Sequence, residues 1–261
     1  MNPDPQPEEA VHIRIRGLTM AFGSTVVMEN LDFAIHRGDI FVIMGPSGSG
    51  KSTLMRHMIG LLEPAGGEIL YSGRSFTGAT GRERVAILRR IGVMYQRGAL
   101  WTSLTLAENV ALPLEEFTDY SRRQIRSIVD YKLSLVGLSG FGDYYPASLS
   151  GGMAKRAGVA RALALYPEIL FLDAPSSGLD PLSARRLDET IVQLRDSLGM
   201  TVIVVTHELD SIFQIGTRAV YLDPESRTQG AVGDPRELRD HADNDRIRHF
   251  LKRDPLTPGT E

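Results

Sequence analysis

A glycine-rich segment at residues 45–53 carries the residue types that bind phosphate groups. It reads GPSGSGKST, fits the pattern G-x-x-x-x-G-K-[ST], and lies between an apolar run and a helix-like stretch, the context that this pattern requires. Glycines let the backbone wrap closely around phosphates, and successive N–H groups at a helix start attract negative charge. The alternative is a glycine-rich turn with an exposed lysine. We predict a nucleotide site that consists of Gly45, Pro46, Ser47, Gly48, Ser49, Gly50, Lys51, Ser52 and Thr53.

Two side chains of this segment would act on the nucleotide and its metal ion. Lys51 would reach the β- and γ-phosphates, and Ser52 would place its hydroxyl on Mg²⁺. Asp173 ends the apolar run EILFLD, and a carboxylate there is most simply the acid that holds Mg²⁺ through water. The alternative for Asp173, a helix N-cap or a turn, is weakened by Ala174 and Pro175, which follow directly.

Composition limits the class of protein. The chain has 261 residues, of which 42% are hydrophobic, and this suffices for one α/β domain with a substantial core. The formal net charge of -3 gives no basic surplus for nucleic acid, and the absence of cysteine excludes disulfides, thiol catalysis and Cys-based zinc sites. The N-terminus lacks the pattern of a signal peptide, and every apolar run is far shorter than the ~20 residues of a membrane helix.

Short apolar runs predict the strands that position these residues. The runs lie at 40–44, 169–172 and 202–205, and their unbroken apolarity is typical of parallel strands covered on both faces. A helix follows Lys51, and a later helix has one apolar face and ends at Gly199. The apolar positions of that later helix are Leu187, Ile191, Leu194 and Leu198.

Residues 75–147 differ from the rest of the chain. They contain RERVAILRR and SRRQIRSIVDYKL, which predict charged amphipathic helices, so we expect a helical subdomain without a strong strand. Residues 1–10 are acidic and proline-rich, which predicts a flexible tail. After about residue 230 we expect one or two short polar helices and a frayed end.

Further motifs follow one another in the order of a known family. They are LSGGM at 149–153, AKRAGVARAL directly after it, LFLDAPSSGLDP and VIVVTHEL. With the phosphate loop, the series resembles the ATP-binding subunits of ABC transporters over residues 11–235. The resemblance implies an α/β fold of the P-loop NTPase class, with a RecA-like parallel-sheet core, an N-terminal antiparallel β part and a helical subdomain inserted at about 75–165. Residues 236–261 would form a C-terminal helical extension.

The resemblance also implies a head-to-tail homodimer. One chain of this family cannot close both of its phosphate-binding clusters on the same ATP, so ATP would lie between the Lys51 loop of one subunit and the signature of the other. The signature precedes a helix and offers a second cluster of N–H groups. Its residues are Ser150, Gly151, Gly152 and Met153. The loop that would cross the dimer interface consists of Ser177, Gly178, Leu179 and Asp180.

Three single residues match further family positions. Gln96 matches the glutamine that senses Mg²⁺ and the attacking water, and His207 matches the histidine that contacts the γ-phosphate. Phe22 matches the aromatic residue that stacks on adenine; its alternative is a phenylalanine of the core. The implied metal site consists of Ser52, Gln96 and Asp173. The catalytic candidates are Lys51, Gln96 and His207.

Ala174 departs from the family pattern. The family has Glu there, which polarises the attacking water, and losing such a group commonly lowers the rate by ~10²- to 10⁴-fold. We therefore expect a chain that binds ATP and Mg²⁺, closes its dimer and hydrolyses ATP very slowly. Because every other motif is intact, a single Glu-to-Ala replacement that traps the closed state is favoured over a naturally decayed enzyme. Glu208 is adjacent to His207, but nothing in the sequence shows that it reaches that water.

A narrower resemblance concerns the transported substrate. Met153 and the stretch at 95–121, YQRGALWTSLTLAENVALPLEEFTDYS, resemble the ATPases of the Mla and Mce class of lipid transporters. This implies phospholipid as cargo, a multispan permease, an MCE-domain protein, in some systems a small STAS-domain subunit, and a place on the cytoplasmic face of the bacterial inner membrane. The C-terminal extension would clasp the neighbouring ATPase, as in that class, or form a loose tail.

Other classes of protein share parts of this pattern. Importers of small solutes such as polar amino acids share much of it. A soluble ABC-type ATPase that acts on DNA or ribosomes would normally bring two cassettes or long coiled coils, and the net charge opposes nucleic acid as a partner. A small-molecule kinase with a phosphate loop would leave LSGGM and SGLD unexplained.

Overall fold

The computed structural model of the protein describes residues 10–96 and 98–252. Residues 1–9 of the tail predicted at 1–10, Arg97 and the chain end at 253–261 lie outside the described residues. The strands are β1 (Val11–Phe22), β2 (Thr25–His36), β3 (Ile40–Met44), β4 (Gly66–Tyr71), β5 (Arg74–Ser75), β6 (Ile91–Met94), β7 (Ile169–Asp173), β8 (Thr201–Val205), β9 (Arg218–Asp223) and β10 (Thr228–Gly233). The helices are α1 (Lys51–Met58), α2 (Gly81–Leu88), α3 (Leu106–Phe117), α4 (Arg122–Leu135), α5 (Gly151–Ala162), α6 (Pro181–Leu198), α7 (Leu209–Ile215), α8 (Pro235–His241) and α9 (Asp245–Lys252).

A six-stranded sheet forms the centre of the molecule, in the order β10-β9-β3-β8-β7-β6. The strands from β9 to β6 are parallel, and β10 is an antiparallel edge strand. Every residue of β3 and β8 is buried, because helices and the second sheet cover both faces. The strands predicted from unbroken apolar runs are therefore confirmed, as is the end of α6 at Gly199, which has a φ of 63°.

A second, antiparallel sheet has the order β2-β1-β4-β5. Its inward-facing side chains pack with α1 and with one face of the central sheet in a single apolar cluster. Ile13 and Ile15 of β1 are fully buried in this cluster beside Leu54 of α1. The predicted α/β fold with a parallel core and an N-terminal antiparallel part is confirmed.

The helical region contains a strand that the sequence analysis missed. Residues 91–94, IGVM, form β6 and pair in parallel with β7 at the edge of the central sheet. The run is short and follows the arginine-rich α2, so it lacks the length of the other apolar runs. Helices α3, α4 and α5 pack together farther along the chain in a second apolar cluster. The expectation of no strong strand between residues 75 and 147 was wrong.

The C-terminal helices pack on the chain's own domain as far as Lys252. Ile247 and Leu251 of α9 are buried beside Tyr221 of β9, whose ring also contacts Phe250. The mostly charged sequence of α9 therefore hides a narrow apolar face. The loose-tail alternative does not hold for residues 235–252.

A carboxyl group is buried between α6 and α7. Asp188 is 2% exposed, and Ser211 donates its hydroxyl to Asp188 Oδ2 at 2.8 Å. Asp188 Oδ1 has no hydrogen-bond partner among the described residues. Burial raises the pKa of Asp188 to about 6, with smaller contributions from the charges of Glu208 and Glu189, and the Ser211 hydrogen bond opposes the rise. Ionised Asp188 therefore opposes folding.

We predict that Asp188→Asn stabilises the protein more at about pH 7.5 than at about pH 4. Near pH 4 the folded state keeps its proton and the unfolded state is only partly ionised. As the pH rises toward 6 the unfolded state loses its proton first, which costs the folded state roughly 3 kcal/mol by the size of the pKa shift. Urea unfolding at both pH values measures how much the substitution changes the free energy of unfolding. Effects of the amide that do not depend on pH cancel when the two changes are compared.

The matched control for this prediction is Asp196→Asn, because Asp196 lies on the same helix with its side chain 58% exposed. We expect no comparable pH dependence there. An Asp188→Asn effect that is equal at both pH values would contradict the assignment of Asp188 as a buried, destabilising carboxylate.

Candidate nucleotide site

Four adjacent parallel strands end at one edge of the central sheet, and a predicted site residue follows or ends each of them. The glycine loop begins at Gly45 after β3, Gln96 follows β6, Asp173 ends β7, and His207 follows β8. The β7–β8 ladder pairs Asp173 directly with Val205. The sheet therefore brings these four positions, which are distant in sequence, to one edge.

The backbone of the glycine loop forms a cradle. Gly45 has a φ of 145°, and a Cβ there would lie 2.7 Å from the carbonyl oxygen of Leu222. Gly48 and Gly50 also have positive φ, at 81° and 83°. Because α1 begins at Lys51, its first N–H groups have no acceptor within the helix. This arrangement of backbone donors suits an anion.

Two polar side chains lie inside this cradle. Lys51 Nζ donates to the carbonyl oxygens of Gly45 at 2.9 Å and of Pro46 at 2.7 Å. Burial lowers the pKa of Lys51, and the charge of Asp173 opposes that shift. The hydroxyl of Ser49 is buried and has no hydrogen-bond partner in the described part of the chain. The Lys51 ammonium group is therefore the side-chain cation that the loop backbone holds beside the cradle.

The candidate metal ligands Ser52 and Asp173 meet beside the loop. Ser52 Oγ lies 3.4 Å from Asp173 Oδ1 and donates to it. Burial raises the pKa of Asp173, while the Ser52 hydrogen bond and the charges of Arg56, Lys51 and Lys155 lower it. Mg²⁺ takes oxygen ligands such as a hydroxyl and a carboxylate, usually with several waters. The two side chains therefore fit Mg²⁺.

Ala174 has a left-handed backbone that its neighbours hold in place. Its φ is 46°, a conformation that costs a non-glycine residue about 1 kcal/mol or more. The Ala174 N–H donates to the carbonyl oxygen of Val205 at 2.8 Å. The Ala174 carbonyl oxygen accepts hydrogen bonds from Lys155 Nζ at 3.0 Å and from the Ser177 N–H at 3.3 Å. The backbone at residue 174 is thus fixed by main-chain and lysine contacts rather than by its own side chain.

The signature motif begins helix α5. Ser150 caps this helix, because its hydroxyl accepts a hydrogen bond from the Met153 N–H at 3.3 Å. Ser150 and Gly151 are exposed, and Gly152 is buried. A Cβ on Gly152 would lie 3.2 Å from Ser183 Cβ of α6, so a side chain there would require Ser183 to shift by a few tenths of an ångström.

The predicted interface loop lies against the signature of the same chain. A Cβ on Gly151 would come within 3.4 Å of Leu179 Cδ2. Asp180 caps α6, and its Oδ1 accepts a hydrogen bond from the Ser183 N–H at 3.0 Å. Gly178 has a φ of 75° and open space around it. Asp180 therefore fixes the start of α6 within its own chain.

The two predicted phosphate-binding clusters, the Lys51 loop and the Ser150 cluster, are not joined by a hydrogen bond in the described part of the chain. Gln96 and His207 are exposed at the edge of the sheet. Phe22 ends β1 with 52% of its surface exposed, which excludes its alternative as a core residue. The nucleotide contacts of these side chains stay predictions.

Sequence reasoning missed Lys155. This residue lies in the AKRAGVARAL segment, is 8% exposed, and donates to the carbonyl oxygens of Ala174 and Ser177. The charge of Glu208 also acts on Lys155, which places that carboxylate in the same neighbourhood. A lysine in a helix with other basic residues gives no sequence signal for such contacts.

Comparison with known proteins agrees with this geometry. A family model described as ABC transporter matches residues 28–177. The intermembrane phospholipid transport system ATP-binding protein MlaF of Haemophilus influenzae is 38% identical over 240 residues, which cover 92% of this chain and 90% of that protein. The probable ribonucleotide transport ATP-binding protein Mkl of Mycobacterium tuberculosis is 38% identical over 241 residues, and the chain spans 66% of its length.

A transporter subunit named for a different substrate is equally similar in sequence identity. The glycine betaine transport ATP-binding protein OpuAA of Bacillus subtilis is 38% identical over 254 residues, which cover 95% of this chain and 60% of that protein. Sequence identity alone therefore does not separate lipid transport from small-solute transport.

Solved structures show the same fold. The structure of cbiO1 from Clostridium perfringens is described as part of an ABC transporter complex. It superposes with a TM-score of 0.82 and 25% sequence identity, and the match covers 94% of this chain and 100% of the cbiO1 chain. The dimeric ATP-binding cassette MJ0796, bound to ADP and phosphate, superposes with a TM-score of 0.76 and 30% sequence identity. This match covers 85% of this chain and 98% of the MJ0796 chain. From its sequence and its fold, the chain belongs to the ATPase domains of the ABC transporter family.

Proposed function

We propose that this chain is the ATP-binding subunit of a bacterial transporter that couples ATP hydrolysis to phospholipid movement. The observation that carries the nucleotide role is the contact between Ser52 and Asp173 beside the backbone cradle of the Lys51 loop. The cradle would bind the phosphates, and Lys51 would exchange its two carbonyl contacts for phosphate oxygens. Mg²⁺, held by Ser52 and Asp173 with Gln96, would neutralise charge that develops on the phosphates.

The proposed nucleotide-bound form is a head-to-tail homodimer. The Ser150 cluster is exposed at a helix start and has no hydrogen bond to the Lys51 loop of its own described chain. A second copy would bring that cluster to the phosphates from the opposite side, with Ser177–Asp180 at the interface. The similarity to the dimeric cassette MJ0796 supports this arrangement.

Hydrolysis of ATP needs a proton acceptor, and residue 174 is the position where the family has one. Water attacks the γ-phosphorus, the bond to the bridging oxygen breaks, ADP leaves, and the proton of the water needs an acceptor. Ala174 offers none, although it directly follows Asp173 at the edge of the sheet. We therefore propose that the chain binds ATP, closes its dimer and turns over very slowly.

We predict that Ala174→Glu raises ATP hydrolysis by about 10²- to 10⁴-fold, the usual effect of one general base. The backbone at residue 174 is held by Val205, Lys155 and Ser177, so we expect the main chain of the loop to keep its conformation in this variant. Steady-state phosphate release by the assembled transporter measures the change.

The control is Ala174→Gln, which has nearly the same shape as the Glu variant but cannot accept the proton. We expect it to bind ATP as the parent chain does and to stay slow. If the parent chain hydrolyses ATP as fast as the Ala174→Glu variant, another group accepts the proton and the proposed role of residue 174 is wrong.

Hydrogen bonds from Asn109 to the loop at Trp101 support the proposed permease contact. Trp101 is 59% exposed, and the buried Asn109 anchors its main chain, since Oδ1 accepts from the Trp101 N–H at 2.8 Å and Nδ2 donates to the Trp101 carbonyl oxygen at 3.0 Å. An exposed tryptophan on a fixed loop suits a protein interface. Gln96 lies between this loop and β6, which is three strands from β3 in the sheet, so movement of the permease at the loop would act on the segment that contains Gln96.

The proposed place of the chain is the cytoplasmic face of the inner membrane, held by the permease. Within the described ranges, none of the helices combines the length and apolarity needed to span a bilayer. The further proposed partners are an MCE-domain protein and, in some systems, a STAS-domain subunit. The similarity to the phospholipid transport protein MlaF supports the lipid assignment, whereas the similarity to the glycine betaine transport protein OpuAA supports the alternative of a small-solute importer.

We predict that phospholipid occupies the isolated transporter complex and stimulates its ATPase. The complex is purified with the Ala174→Glu chain, its extracted contents are identified by mass spectrometry, and its ATPase is measured in phospholipid nanodiscs and with added glycine betaine. Stimulation by glycine betaine, with no bound lipid, would contradict the lipid assignment and favour the importer.

A further inference from the structure

Lys155 connects the signature helix to the loop that follows β7. Its ammonium group donates to the carbonyl oxygen of Ala174 at 3.0 Å and to that of Ser177 at 2.9 Å. Lys155 lies in α5, whose first turn starts at Gly151 behind the Ser150 cap. One buried side chain therefore joins the helix that carries the signature to the backbone of the loop that carries residue 174.

The contacts of Lys155 are ones that the loop cannot easily replace. Burial lowers the pKa of Lys155, and the charges of Glu208 and Asp173 oppose that shift. A hydrogen bond from a charged donor is stronger than one between neutral groups, and a carbonyl that loses such a donor is left partly unsatisfied. The Ala174 carbonyl would keep only the 3.3 Å contact from the Ser177 N–H.

The loop held by Lys155 leads directly to the dimer interface. Residue 174 has a strained left-handed backbone, and its carbonyl contacts help to keep it there. Ser177 begins the Ser177–Asp180 segment, and Leu179 of that segment lies beside Gly151. A change in the position of α5 therefore acts on the loop through Lys155 at one end and through Leu179 at the other.

We propose that Lys155 is a positioning residue that couples the two nucleotide sites of the dimer. In the proposed dimer, Lys155 holds the loop that lies beside the nucleotide bound by the Lys51 loop of the same chain. Lys155 is carried by α5, and the start of α5 would face the nucleotide bound by the other chain. This inference rests on the proposed ATPase and head-to-tail dimer. Lys155 acts through the backbone of residues 174 and 177 and does not act on ATP itself.

The first test measures hydrolysis by the full chain in the assembled transporter, with Ala174→Glu present in every variant. We expect Lys155→Met to lower kcat by about tenfold or more, because small misplacements of a catalytic loop commonly cost that much. The KM for ATP should change less than about threefold, because the Lys51 loop is untouched. Lys155→Arg keeps a cation that can donate to two carbonyl oxygens, so we expect it to retain most of the hydrolysis rate.

The matched control is Arg156→Met in the same helix. Arg156 Nη1 also donates to two carbonyl oxygens, those of Val136 at 2.8 Å and Gly137 at 3.3 Å, but these lie at the end of α4. We expect this variant to lose thermal stability without a comparable loss of kcat. If Lys155→Met does not fold, Lys155→Gln takes its place, because its shorter amide cannot reach both carbonyls.

The second test does not depend on hydrolysis. In the chain that keeps Ala174, we expect Lys155→Met to weaken ATP-dependent dimerisation in analytical ultracentrifugation while each chain still binds ATP. A Lys155→Met chain that matches Arg156→Met in both kcat and dimerisation overturns this inference alone. If the parent chain neither dimerises with ATP nor hydrolyses it after Ala174→Glu, the proposed function fails and the inference with it.

Discussion

The parallel pairing of β3, β8, β7 and β6 is the constraint on which the site depends. Strands β3 and β8 are buried along their whole length, so their register is set by packing on both faces. Parallel strands all end at the same edge, and the register opposes Asp173 to Val205. The Ser52–Asp173 contact follows from this pairing, because α1 starts directly after the loop that leaves β3.

The backbone around residue 174 explains how a site can lose a carboxylate and keep its shape. The contacts that hold Ala174 come from the β8 carbonyl of Val205, from Lys155 and from Ser177. None of them involves the side chain of residue 174. In the proposed function, Ala in place of the family's Glu would therefore affect proton transfer, while the loops proposed to bind nucleotide and close the dimer would keep their conformation.

The parts of the fold and site that could be predicted are those with a local sequence signal. Runs of buried β-branched residues predicted β3, β7 and β8, and the spacing of glycines and lysine predicted the loop at Gly45–Thr53. Strand β6 was missed because IGVM is short and pairs at the sheet edge with a strand far along the chain. Lys155 and Asp188 were missed for the same physical reason, since their importance arises from burial against distant segments rather than from spacing.

In the proposed dimer, each nucleotide lies between the Lys51 loop of one chain and the Ser150 cluster of another. Mixing a Lys51→Ala chain with a Ser150→Arg chain tests this arrangement, because a head-to-tail heterodimer of the two has one intact composite site. We expect the mixture to retain ATP after gel filtration and neither variant alone to retain it. Retention by neither the variants nor the mixture, under conditions where the parent chain retains ATP, would contradict it.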